Sequence, residues 1–92
     1  MEHLSIKEIY DRLQELNGWD MHGFEITKEF EFNEFKEAVD FVHKVGEEAE
    51  RQQHHPDIKI NNKKVSITLT THDAGGLTYK DFKMAKVIEQ MV

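Results

Sequence analysis

The chain has 92 residues, 38% of them hydrophobic and 33% charged, with one proline and no cysteine. That is enough for one core but not two without a disulfide or metal, and it is too apolar for disorder. A net charge of −6 argues against nucleic acid as a partner, no apolar run reaches the length of a membrane span, and the lack of cysteine removes disulfide and thiolate chemistry. Met1-Glu2-His3-Leu4 has no basic region leading into an apolar segment, so the expected location is cytoplasmic.

Ser5-Ile6-Lys7-Glu8 has the pattern of a capping box, with Leu4 and Ile9 placed as a hydrophobic staple. Ile6, Ile9, Leu13 and Leu16 carry the helix to Asn17-Gly18. Trp19, Met21 and His22-Gly23 follow, and then Phe24, Ile26, Phe30 and Phe32 alternate with Glu25, Thr27, Glu29 and Glu31, predicting a hairpin with one wet face. Asn33 is placed to cap a second helix whose buried face is Phe35, Ala38, Val39, Val42, Val45 and Ala49, and Pro56 stops it. Ile58 and Ile60, the turn Asn61-Asn62, and Val65, Ile67 and Leu69 predict a second hairpin.

Beyond Gly75-Gly76, Thr78-Tyr79-Lys80-Asp81 is a second capping box, stapled by Leu77 and Phe82. Phe82, Ala85, Ile88 and Val92 form the core stripe of the last helix. A further stripe of Met84, Val87 and Met91 reads either as a subunit contact or as a wide core face. The expected fold is α+β, one domain over 1–92 in the order helix, hairpin, helix, hairpin, helix. Its four-stranded antiparallel sheet carries three helices on one face.

The candidate chemistry lies between Glu50 and His72. His54 and His55 fall where a helix gives way to a strand, and His72 where a strand gives way to a glycine loop. An antiparallel second hairpin would bring His55 and His72 to one end of the sheet, where three imidazoles could line one pocket. Glu50, a helical turn before His54, can reach that end and orient or charge a ring. The residue types leave three readings open. Three histidines and a glutamate suit zinc, although no HxH or HxxxH pair puts two rings on one face. Histidines titrating near neutrality suit acid–base catalysis. Structural or capping histidines are the third. His3, His22 and His43 read as surface residues.

The pattern Glu50-x-x-x-His54-His55-Pro56-Asp57, followed by Thr70-Thr71-His72-Asp73-x-Gly75-Gly76-Leu77-Thr78-x-x-Asp81, resembles the pterin-4a-carbinolamine dehydratases. Gly18-Trp19, Ile26-x-Lys28-x-Phe30-x-Phe32-x-x-Phe35, Ala49-Glu50 and Val65-x-Ile67-x-Leu69 extend the resemblance over nearly the whole chain. It implies an α+β domain that assembles as a homodimer or homotetramer. It also implies loss of water from 4a-hydroxytetrahydrobiopterin to give the quinonoid dihydropterin in tetrahydrobiopterin recycling, with no metal and no cofactor.

By the same resemblance His54 and His72 match the acid–base positions, His55 the third pocket histidine, and Glu50 the carboxylate that tunes them. Asp73 and Asp81 join the three histidines as substrate-binding residues, and capping is an equal role for Asp81. Asn62 stands where the family often carries an aromatic residue, which bears on substrate affinity. Two further functions stay open: a protein-interaction role of the transcription-coactivator kind, with a protein partner, and an auxiliary role in another pterin pathway. Neither a nucleic acid nor a membrane is expected as partner.

Overall fold

The computed structural model describes residues 2–92, so Met1, the first residue of the segment read for a leader, lies outside the described residues. Helix α1 spans Ile6–Leu13, strands β1 and β2 span Asp20–His22 and Glu25–Glu31, and helix α2 spans Phe35–Gln52. Strands β3 and β4 span Asp57–Asn61 and Lys64–Leu69, and helix α3 spans Tyr79–Glu89 after a short 3₁₀ turn at His72–Ala74.

The sheet order is β1-β2-β4-β3, antiparallel at every step. Ile26 and Phe30 of β2 and Val65, Ile67 and Leu69 of β4 are buried beneath the helices, while Thr27, Ser66 and Thr68 stay partly accessible on the other face. Each fully buried aliphatic side chain stabilises the fold by about 1.5–3 kcal/mol, so the helical layer binds this face firmly. Across β2 and β4 the wet face is tied by Thr27 Oγ1, which lies 3.0 Å from Thr68 Oγ1.

Both predicted capping boxes form, at Ser5 with Glu8 and at Thr78 with Asp81. The second helix starts one residue later than expected. Glu34 rather than Asn33 is its N-cap, in an extended conformation (φ −137°), and its amide donates to the Glu37 carboxylate at 3.0 Å. That helix also buries a different face. Phe41 is 3% exposed and packs against Phe30 and Phe32, whereas Phe35 and Val39 are 55% and 42% exposed. Ile6 and Phe24 are likewise on the surface, because Ile6 begins α1 on its outer side and Phe24 follows the turn at Gly23.

In α3 two of the three residues of the second stripe, Met84 and Met91, are used within the chain, and Val87 is half-buried. Met84 is fully buried and Met91 packs against the same core, which leaves Met84 no surface for a subunit contact; Val92, assigned to the core stripe, is exposed. Asn62 adopts φ 57° in the turn between β3 and β4, at the far end of β3 from His55.

Candidate functional site

Helix α2 ends in a left-handed residue. Gln53 has φ 52°, its amide returns to the Glu50 carbonyl at 3.3 Å, and the His54 amide returns to the Ala49 carbonyl at 3.1 Å. This closes the helix before Pro56 is reached and turns His54 inward. His54 is 9% exposed, and its Nε2 lies 2.6 Å from Oδ1 of Asp81. Asp81 is fully buried in the first turn of α3, where the helix N-terminus favours a negative charge.

The protons in this network can be assigned from its partners. Asp81 Oδ2 accepts from the Thr71 hydroxyl at 2.8 Å and from the Thr78 amide at 2.9 Å. Thr71 has only one hydroxyl proton, so at its 2.8 Å contact with Thr78 the Thr78 hydroxyl is the donor. A carboxylate that accepts from all sides requires His54 to donate through Nε2, which leaves Nδ1 as its exchangeable nitrogen. Asp81 thereby ties two segments together: Oδ1 holds the end of α2 through His54, and Oδ2 holds Thr71, the residue before His72.

His55 points the opposite way. Its side chain is 57% exposed and its Nε2 lies 2.5 Å from Oε2 of Glu50, itself 72% exposed. Glu50 therefore serves His55 and not His54, because the left-handed turn at Gln53 ends the helical geometry that would have set residues 50 and 54 on one face. Among the described residues no three histidine, aspartate or glutamate side chains converge as a group able to hold a metal ion.

His72 opens the 3₁₀ turn and is exposed. The base of its loop is closed by the backbone pair Thr71 and Gly76 at 3.2 and 3.4 Å, and Gly75 takes φ 70°. The loop borders a cavity of about 410 Å³ lined by His22, Phe24, Glu25, Thr70, His72, Gly75 and Gly76. His54 and His55 are not in that lining: one ring contacts Asp81, one contacts Glu50 and one borders this cavity. Asp73 is exposed on the 3₁₀ turn, outside the Asp81 network. Two participants went unforeseen. Thr71 belongs to the pattern that carries the resemblance but its bond to Asp81 was not foreseen, and His22, read as a surface residue, lines the cavity with His72.

Residues 2–91 match the family model for pterin 4 alpha carbinolamine dehydratase. The chain belongs to that family. Among its dehydratase-family relatives, a Cyanothece sp. protein is 52% identical over 88 residues, covering 96% of this chain and 91% of its own. One from Sulfurisphaera tokodaii is 46% identical over 92 residues, covering 100% of this chain and 99% of its own. Both carry pterin-4-alpha-carbinolamine dehydratase names given only provisionally. A crystal structure titled transcriptional coactivator/pterin dehydratase, from Brucella melitensis, superposes with a TM-score of 0.95 at 32% identity, covering 98% of each chain. A pterin dehydratase-like protein described as a RuBisCO assembly factor of the alpha-carboxysome aligns at 0.66 over 79% of this chain and 84% of its own. At 19% identity it shares the fold alone.

Proposed function

We propose that this protein removes water from a 4a-hydroxytetrahydropterin, 4a-hydroxytetrahydrobiopterin being the specific substrate, to give the quinonoid dihydropterin for tetrahydrobiopterin recycling. The observation that carries the reading is the buried His54–Asp81 pair in a chain of this family: a ring fixed through Nε2 presents Nδ1 as a positioned proton donor or acceptor. In the reaction the C4a–O bond breaks with its electron pair going to oxygen, and a protonated histidine supplies the proton that makes the leaving group water. A neutral histidine takes the N5 proton, and the electrons freed there form the C4a–N5 double bond. His54 and His72 divide these two transfers, and His55, oriented by Glu50, assists at the hydroxyl. Asp81 positions His54, and Asp73 faces the ligand from the 3₁₀ turn.

Absorbance-monitored loss of chemically generated carbinolamine, with and without the protein, tests this. A rate no faster than buffer removes the reading. Copies of the chain associate, with strand β3 offering an open sheet edge and Ile60 39% exposed on it; sedimentation at several concentrations checks that association.

A second reading, binding to another protein, draws on the coactivator title of the Brucella structure and on Phe35 and Val39 standing exposed along α2. Pull-down with wild type and with Phe35→Ser/Val39→Ser tests it, since an α2-dependent partner should be lost from the variant.

A further inference from the structure

Apart from His72 itself, the residues lining the cavity beside His72 have no part in the chemistry above. Among the described residues, neither the ring of His22 nor the carboxylate of Glu25 has a side-chain hydrogen bond, and both line that cavity as directly paired residues of the β1–β2 hairpin. Thr70 adds a hydroxyl. Its proton goes to the Phe24 carbonyl at 2.6 Å, so its oxygen is left facing outward as an acceptor.

The position of this polar wall follows from the substrate's connectivity. Resting on the dehydratase reading, His72 acts at either N5 or the C4a hydroxyl. The pterin carbon C6 is bonded to N5 and is two bonds from C4a. Whichever transfer His72 makes, the substituent on C6 leaves the ring beside His72, and the cavity of about 410 Å³ is the space His72 borders.

We propose that Glu25 and His22 form the wall that recognises the C6 substituent, and that they select one bearing hydroxyl groups. A bare alkyl group would strip water from a carboxylate, an imidazole and a hydroxyl and return nothing, whereas a hydroxylated chain replaces those water contacts. The neighbouring cavity of about 320 Å³, lined by Leu4, Ile9, Met21 and Leu77, shares Phe24 and Gly76 with the first. It is the place an alkyl substituent would favour, so the two chemistries give opposite rankings.

The experiment compares kcat/KM for 4a-hydroxytetrahydropterins carrying a 1,2-dihydroxypropyl or a methyl group at C6. Wild type should favour the hydroxylated substrate by about tenfold, the worth of one or two hydrogen bonds. Glu25→Ala and His22→Ala should each move that ratio toward one, mainly through KM, and Glu25→Gln, which keeps an acceptor, should retain part of it. Circular dichroism and a denaturation midpoint confirm that each variant folds, and His22, exposed on β1, carries the test if Glu25→Ala does not. Wild type turning over both substrates equally, or preferring methyl, would overturn this proposal and leave the dehydratase reading standing. So would a ratio indifferent to both substitutions. Failure on both substrates would remove the reading and this proposal together.

Discussion

His54 Nε2 and Asp81 Oδ1 lie 2.6 Å apart although 27 residues separate them, and the carboxylate between them also holds Thr71 and the start of α3. Stability and reactivity therefore meet in one side chain. Asp81→Ala strands three buried donors, His54 Nε2, the Thr71 hydroxyl and the Thr78 amide. At about 1–3 kcal/mol for each unsatisfied group, the urea midpoint should report a loss of about 3 kcal/mol or more. Asp81→Asn keeps the shape and should lose less stability, while kcat should fall for both variants.

Glu50 and His55 form the contrasting pair. Both are mostly exposed, so their contact is screened by solvent and Glu50→Gln should change stability by less than about 0.5 kcal/mol. Its effect should fall on kcat, by less than the roughly hundredfold expected for removing a direct acid or base. Paired denaturation and steady-state measurements on the one variant separate the two effects.

Far from the histidines, Lys28 Nζ donates to both oxygens of Glu89 at 2.8 and 2.9 Å and to the Asn17 carbonyl at 2.7 Å, and Trp19 Nε1 donates to Glu89 at 3.2 Å. This ties the loop after α1 and strand β2 to the end of α3. Both charged side chains are about four-fifths buried, at 19% and 24% exposure, so Glu89→Ala leaves a largely buried ammonium without its partner. The expected loss is about 2 kcal/mol in a denaturation curve, with kcat/KM unchanged.

The pH dependence of stability should include the start of α1. The Ser5 amide and hydroxyl hold the Glu8 carboxyl below its ordinary value of 4.5. A carboxyl lowered on folding stabilises the protein above its ordinary value, and that stabilisation disappears as pH falls through the lower folded value. Wild type should therefore melt above Glu8→Gln at neutral pH, with the two curves converging well below pH 4.5. A constant gap across that range would show that the carboxylate charge at the cap contributes nothing.

Local signals carried most of the fold. Ser5 with Glu8 and Thr78 with Asp81 announce two helix starts through patterns four residues long, and Val65, Ile67 and Leu69 announce a half-buried strand through alternation. The face of α2 was less legible. Ala38, Val45 and Ala49 were placed correctly, but Phe41 displaces Phe35 and Val39 from the core because Phe30 of β2 and Phe32 just beyond it stand opposite it, which is a tertiary fact. The site was readable as a set of residue types and not as a set of partners. Glu50 faces His55, and His54 faces Asp81, because one left-handed residue at Gln53 rotates the chain between them. Nothing in the spacing of residues 50 to 55 encodes that rotation.

The measurement that bears most directly on the central claim is the rate of carbinolamine loss for wild type, His54→Ala and His72→Ala, with unfolding curves on the same samples. Wild type should accelerate the loss, and each variant should fall by on the order of a hundredfold or more while remaining folded. Folded variants that keep the wild-type rate would contradict the assignment of acid–base work to these two rings.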